Sequence, residues 1–314
     1  MNLAILILIY SIFVLFLFSE VIIFGNTFSS GDSFNPYAIH HILDKIRLNS
    51  SDWPQWQPWI FSGMPTLEAF TYVNLLYLPS YFLNLLGVSD LNIQFFHLVF
   101  SAVSMFYLIQ KLIKNKKIAF ISGLLWILNP FLITMIVFGH GSQMMTAAFF
   151  PITLYLLIRL KDKQSISYML LFALALGLQL QRAHVQIAYY ACMFLGFFFI
   201  YSFYFNRSKK YATLFFSAIV IALLIASHIY LPSLDYREMS IRTSDMGSFT
   251  YATNWSMHPK ELLTYILPNY YGFGGSTYKG FMPFTDFPNY VGFLVLIFAF
   301  LSLKNVNSIR SFFW

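Results

Sequence analysis

Few side chains in this chain can do acid–base or anion chemistry, and they gather in a handful of short stretches. Asp32 stands in Ser30-Gly31-Asp32-Ser33, about eight residues beyond the first apolar run. A carboxylate held there either accepts the proton of an attacking hydroxyl, a role worth about 10²–10⁴ in rate, or caps the helix that follows it. Asp52 and Glu68 lie further along the same stretch and read as solvated loop acids that could complete a carboxylate pair. Glu20, in the last turn of an apolar run, needs a partner or marks where the run meets water.

Two compact polar packages follow. His140-Gly141-Ser142-Gln143 joins two apolar runs, and Arg182-Ala183-His184-Val185-Gln186 joins two others. The planar fork of Arg182 suits phosphate oxygens; snorkelling of a long side chain to the membrane surface is the plainer reading. Later, Asp235, Arg237, Glu238, Arg242 and Asp245 alternate in sign, which describes a self-paired surface or, for Arg237 and Arg242, a meeting place for an anionic substrate. Trp56 sits in a tryptophan- and proline-rich stretch, and Tyr271 in Tyr270-Tyr271-Gly272-Phe273-Gly274-Gly275. Aromatic faces such as these can line a sugar or lipid environment. No phosphate-binding glycine loop, dinucleotide turn, zinc spacing or nucleophile elbow occurs. His40-His41 lacks a ligand-type partner one helical turn away, so no metal site and no cofactor are expected.

What must position these residues is a set of membrane helices. The 314 residues are 58% hydrophobic and only 10% charged, with mean hydropathy +0.65, against about 25% charged in a soluble domain. Too little polar surface is available to face water, so lipid is the solvent for much of the chain. The net charge of +7 invites a nucleic-acid reading, which the placement of the charges rejects. Cys192 is the single cysteine, so no intramolecular disulfide can form. The first run, Leu3 to Phe24, is too long for a signal h-region and has no basic leader, so it reads as a retained span.

Apolar runs suited to spanning fall at roughly 3–24, 91–113, 118–138, 144–158, 166–181, 187–205, 211–231 and 289–303. Lys111, Lys114, Lys116, Lys117, Arg159, Lys161, Lys163, Arg207, Lys209, Lys210, Lys304 and Arg310 all fall on one side, with Asp162 as that side's sole acid. The other eleven acids lie at or beyond the opposite boundary. Positive short loops face the cytoplasm, so both termini are expected there. Two long extracytoplasmic loops result, 25–90 and 232–288. In the first, Asn35-Pro36 suits the start of an interfacial helix, the stretch from Trp53 to Trp59 excludes regular helix, and Tyr72 to Leu86, broken by Pro79, suits a second interfacial element. The expected fold is all-α: a polytopic helical bundle of about eight transmembrane helices, residues 1–314 forming one domain.

The order of several motifs carries a resemblance. Gly31-Asp32 is followed by Trp59-Ile60-Phe61-Ser62-Gly63-Met64-Pro65, then Gly139-His140-Gly141-Ser142-Gln143 and Arg182 through Tyr190. Leu262-Leu263-Thr264-Tyr265-Ile266-Leu267-Pro268-Asn269-Tyr270-Tyr271-Gly272 and Asn289-Tyr290-Val291-Gly292 complete the series. Together they resemble the bacterial YfhO-like membrane proteins, which belong with the GT-C class of multi-spanning glycosyltransferases. The resemblance implies a GT-C-like domain with an extracytoplasmic site. It also implies a polyprenyl-phosphate-linked sugar as donor and a cell-envelope glycan, lipid or protein as acceptor.

Under that resemblance Asp32 is the catalytic base, although Ser33 follows it where several related enzymes carry a second acid. Arg182, His184, Gln186, His140, Gln143, Arg237, Arg242, Trp56 and Tyr271 are the expected substrate-binding residues. Members are often longer, and this chain stops at Phe312-Phe313-Trp314 without a closing element, which suits a truncated or minimal form. Two readings from other classes compete: a transporter or lipid flippase, for which Asn129-Pro130 supplies an interrupted span, and a non-catalytic scaffold for envelope assembly.

Overall fold

The computed structural model describes residues 2–50, 55–59, 62–66, 77–88, 90–182, 184–237, 249, 253, 256–274, 277–283, 285 and 289–303. The described residues are all-helical apart from turns, loops and one hairpin of two-residue strands. In chain order the helices are α1 (Leu3–Leu17), α2 (Ser19–Ile22), α3 (Gly31–Ser50), α4 (Leu78–Leu85), α5 (Asp90–Ile113), α6 (Lys116–Ile127) and α7 (Pro130–Val137). They continue as α8 (Gly141–Ala148), α9 (Phe150–Lys163), α10 (Ile166–Gln181), α11 (Val185–Asn206), α12 (Lys209–Arg237) and α13 (Phe293–Ser302). The short strands β1 (Trp56–Gln57) and β2 (Met64–Pro65) pair antiparallel, in keeping with a stretch whose prolines forbid regular helix.

Every run expected to span is helical. Five stretches are long and apolar enough to cross a membrane: Asn92–Ile113, Lys116–Val137, Gly141–Lys163, Val185–Asn206 and Lys209–Asp235. Leu3–Leu17, Ile166–Gln181 and Phe293–Ser302 are shorter apolar helices. In lipid each backbone amide must be satisfied within its own segment, which makes helix the stable state for such runs. Asn2 caps α1, Asn115 caps α6 and Ser165 caps α10 through side-chain oxygens, each satisfying otherwise orphaned N–H groups. Lys114, Gln164 and Arg207, with φ of 60°, 44° and 44°, follow or end α5, α9 and α11 in left-handed turns, which permit tight hairpins.

Cα packing groups the chain into two units, Met1–Leu128 with Met135–Ser233, and Asn129–Thr134 with Leu234–Trp314. In the first, α5 packs against α1, α4, α6, α8 and α9. The α8–α9 span is the most enclosed, 67% buried where the other four long spans reach 28–39%; it is therefore the one that can carry the buried threonines Thr146 and Thr153. Side-chain amides knit the helices: Gln179 Nε2 donates to the Thr146 carbonyl at 3.1 Å and Gln181 Nε2 to the Ile225 carbonyl at 2.9 Å. Away from water such bonds are useful interhelical glue. At the basic end Asp162 pairs with Lys111 at 2.6 Å and with Lys161 at 3.5 Å, tying α5 to α9.

Three local expectations are corrected. Helix α3 begins at Gly31, not after Asn35, so Asp32 occupies its first turn and Pro36 lies inside it, where it withholds only one backbone N–H. Pro79 is the second residue of α4 and starts that helix instead of breaking it, since proline's missing N–H costs nothing in the first turn. Helix α12 runs on through Pro232 to Arg237; the hydroxyl of Ser233 donates to the Ile229 carbonyl at 2.6 Å, one of the compensations that let proline persist in a membrane helix.

Candidate functional site

The site assembles at one end of the first unit. Gly139, with φ of +84°, turns the chain after α7, a left-handed step that glycine makes without steric cost. His140 then opens α8, and its ring makes no capping bond to that helix. Its Nε2 stands 3.7 Å from Asp32 Oδ2, within ion-pair range and beyond a direct hydrogen bond. The Asp32 side chain is 57% exposed and accepts no hydrogen bond among the described residues. Its lone pairs are thus open to an incoming proton.

His184 is the N-cap of α11, its Nδ1 accepting from the Ile187 amide at 3.4 Å. Burial lowers its pKa, and repulsion from His140 lowers it further. The same repulsion shows that the two imidazoles are electrostatic neighbours. One loop therefore carries Arg182 and, two residues later, a histidine that feels His140. Two residues of chain reach at most about 7 Å.

Arg182 caps α10 and is only 8% exposed. Its guanidinium carbon lies 4.7 Å from the centroid of the Tyr77 ring, which is fully buried. The Tyr77 hydroxyl meets His97 Nε2 at 2.5 Å, and His97 Nδ1 meets the Ile93 carbonyl at 2.8 Å. A carbonyl only accepts, so Nδ1 carries hydrogen and Tyr77 donates to Nε2; the tautomer is assigned from these partners. Burial raises the Tyr77 phenol pKa, and the nearby Arg182 charge lowers it. The net rise keeps the hydroxyl protonated as a donor. One turn before His97 on α5, Gln94 lies against Gly141: a Cβ there would approach the Gln94 amide to 2.5 Å. The two polar groups share one face of the helix.

Of the expected catalytic and substrate-binding residues, Asp32 and His140 are neighbours, His184 senses His140, and Arg182 lies two residues before His184. Gln143 is half-buried in the first turn of α8. Gln186 is exposed and donates to the Tyr190 hydroxyl at 2.8 Å along α11. Trp56 is 54% exposed on β1 with its ring against Gly63, where φ is +117° and an added Cβ would lie 2.6 Å from the indole. Tyr271 belongs to the second unit, edge-on to Tyr270 and Phe281. Arg237 is the last residue of α12, its side chain outside the described residues; Arg242, Asp52 and Glu68 lie outside them altogether. Glu20 is bonded locally by Asn26 Nδ2 at 2.8 Å, which accounts for an acid at the end of an apolar run. Sequence reasoning did not single out Tyr77, His97 or Gln94. An ionisable residue inside a span was the available signal for His97.

A family model described as "6-pyruvoyl-tetrahydropterin synthase related domain; membrane protein" matches residues 81–308. No curated protein and no solved structure matches the chain.

Proposed function

The chain belongs to the 6-pyruvoyl-tetrahydropterin synthase related family of membrane proteins, and from that premise we propose that it is a GT-C-type glycosyltransferase of the YfhO-like kind. The wording of the family description supplies no residue of this chain with a role, so the reading rests on the site itself. The donor is a polyprenyl-phosphate-linked sugar and the acceptor a hydroxyl of an envelope glycan, lipid or protein. The site faces outward from the bacterial cytoplasmic membrane, with both termini in the cytoplasm, the orientation favoured by twelve basic residues on the opposite side.

The acceptor oxygen attacks the anomeric carbon and forms the new glycosidic bond. The bond from that carbon to the phosphate oxygen breaks, its electron pair leaving with polyprenyl phosphate. The acceptor proton passes to Asp32. Arg182 meets the charge that grows on the phosphate, the kind of fixed cation that lowers such a barrier. No metal or cofactor enters the scheme.

The observation that carries this reading is the open Asp32 carboxylate 3.7 Å from His140, on a site whose neighbouring loop holds a buried arginine. The transporter reading draws on the break before Pro130. There Asn129 Oδ1 accepts from the Phe131 amide at 2.9 Å, a helix cap that accounts for the break locally. Comparing lipid extracts and envelope glycans by mass spectrometry, with and without the protein, tests the proposal. Accumulated polyprenyl-phospho-sugar in the deletion supports transfer; unchanged lipids and glycans refute it.

A further inference from the structure

His140 opens the α8–α9 span, and the opposite end of that span lies among cations. Residues 111–117, 159–163 and 207–210, where α5 passes to α6, α9 to α10 and α11 to α12, hold ten basic side chains and one acid, Asp162. Two contacts set these three turns side by side. Lys111 of α5 reaches Asp162 of α9 at 2.6 Å, and the Ser208 hydroxyl donates to Gln164 Oε1 in the α9–α10 turn at 2.8 Å. Asp162 also meets Lys161 at 3.5 Å and attracts Arg159 from farther off. One carboxylate shared among so many cations leaves a positive surplus.

Arg159 is the cation that the fold encloses. It stands one turn before the end of α9 and is half-buried, whereas a side chain that merely snorkels keeps its charged head in water. Its Nη2 donates to the hydroxyl of Tyr168, in the first turn of α10. Its guanidinium carbon lies 4.9 Å from the Tyr168 ring centroid and 6.0 Å from that of Tyr155. Tyr155 in turn contacts Tyr107 of α5, with 6.2 Å between centroids. Three half-buried tyrosines from three helices thus meet around this arginine, a grouping suited to the headgroup zone of a membrane.

Two donors there are uncommitted among the described residues. The Tyr168 hydroxyl accepts from Arg159, which leaves its own hydrogen to give. Of the guanidinium nitrogens only Nη2 has a hydrogen-bond partner; Nε is enclosed without one. A partly desolvated cation with unmet donors is completed best by an acceptor that carries negative charge. One turn further along α10, Leu171 is 47% exposed, an apolar surface beside the polar one. A ligand with a phosphate above and hydrocarbon below matches both.

We propose that Arg159 and Tyr168 form a binding site for the phosphate of an anionic phospholipid in the leaflet at this basic end. Tyr168 donates its hydroxyl hydrogen and Arg159 a guanidinium N–H to the phosphate oxygens, and the surrounding lysines favour a lipid of net negative charge. The site is independent of the transferase reading, which concerns the other end of the α8–α9 span.

The test uses the detergent-purified full chain and two lipids of identical acyl chains, phosphatidylglycerol and phosphatidylcholine. Binding is read by native mass spectrometry at about 0.15 M ionic strength, where distant exposed charges are screened. The wild-type protein is expected to prefer phosphatidylglycerol. Arg159→Gln should cut the preference about tenfold, the scale of one charge-assisted hydrogen bond. Arg159→Lys keeps the charge but loses the planar fork, and Tyr168→Phe keeps the ring but loses the hydroxyl; each should cost several-fold. Lys116→Gln removes one charge from an exposed position on the neighbouring turn and should change the preference at most about twofold.

These outcomes separate a built site from diffuse attraction. Arg159→Lys binding like wild type overturns the proposal, as does Lys116→Gln losing as much as Arg159→Gln, or a wild type blind to headgroup charge. In the Arg159→Gln background Tyr168→Phe should add little, and independent, multiplying losses overturn the shared site. Glycerol 3-phosphate offers the phosphate without the chains. Its displacing the lipid at equal concentration would assign the site to a soluble anion and overturn the lipid. Phosphatidylcholine binding and the thermal midpoint report whether each variant is folded, and Arg159→Lys with Tyr168→Phe decide the matter if Arg159→Gln is not.

Discussion

The Asp32 carboxylate stands 3.7 Å from His140 Nε2, across a junction between the first turn of α3 and the residue that opens α8. Both side chains are partly exposed, at 57% and 29%. An ion pair in that setting contributes only about 0–1 kcal/mol to stability. Stability and the proposed chemistry can therefore be tested separately. Asp32→Asn should lower sugar transfer about 10²–10⁴-fold while leaving expression, membrane insertion and thermal midpoint at wild-type values. Transfer at the wild-type rate by Asp32→Asn would remove Asp32 from the reaction.

A second expectation concerns helix packing. Gly123 on α6 is the point where α1 and α5 approach: an added Cβ would lie 2.2 Å from the Tyr10 hydroxyl and 2.9 Å from the Ala102 carbonyl. The Tyr10 hydroxyl can swing, but at the loss of its bond to the Phe120 carbonyl at 3.0 Å; the Ala102 backbone cannot move without shifting α5. Gly123→Ala should destabilise by about 1–3 kcal/mol, and Tyr10→Phe, which removes the hydrogen bond alone, by about 0.5–1.5 kcal/mol. Thermal unfolding in detergent gives both numbers. A Gly123→Ala protein as stable as wild type would show that the three helices are looser than this contact implies.

These two sites also divide what the sequence could reveal from what it could not. Apolar runs near twenty residues long, broken by lysines, located helix in each of the eight expected stretches, five of them long and apolar enough to span, because helix is nearly obligatory for such runs in lipid. The two polar packages containing His140 and Arg182 stood out for the same reason, as polar islands between spans. The start of α3 was misplaced because Asn35-Pro36 is a strong start signal, yet a helix can begin a turn earlier and absorb proline's single missing bond. Tyr77 was hidden more deeply: it meets residues 20 and 105 positions away in sequence, and no local period encodes such pairings. His97 could have been found, since burying an imidazole in a span has to be repaid by hydrogen bonds, here from Tyr77 and Ile93.

His184 should give the site a pH dependence of predictable sign. Burial first, and His140 second, hold its pKa below the ordinary histidine value, and its neutral Nδ1 accepts the Ile187 amide at the start of α11. A group whose folded pKa is depressed contributes stability that is complete above its unfolded pKa of about 6.5 and fades as pH falls through the folded value. The thermal midpoint should thus rise with pH up to about pH 6.5 and level off above it. His184→Asn keeps a capping acceptor and does not titrate, so it should flatten this portion of the curve. An undiminished slope in His184→Asn would assign the dependence to another group.

The second unit holds a buried acid whose role is structural. Glu261 is 2% exposed and sits in the 3₁₀ turn Pro259–Tyr265. Its Oε1 accepts from the Tyr278 hydroxyl at 2.6 Å and from the Phe281 amide at 2.5 Å, tying Tyr278 and Phe281 to the turn. Burial, followed by the bond to Glu261, raises the Tyr278 pKa, so the hydroxyl stays a donor throughout the physiological range. Phe281 is thereby held flat against His258, with 4.0 Å between ring centroids. Glu261→Ala strands a hydroxyl and an amide that had a charged acceptor, a loss of about 1.5–3 kcal/mol for such bonds. Glu261→Gln keeps an acceptor oxygen and should lose less; Tyr278→Phe gives up one donor and should lose less again. Hydrogen exchange over residues 259–283 should rise in the order wild type, Tyr278→Phe, Glu261→Gln, Glu261→Ala. Exchange in Glu261→Ala equal to that of wild type would mean that the segment is held by its aromatic contacts alone.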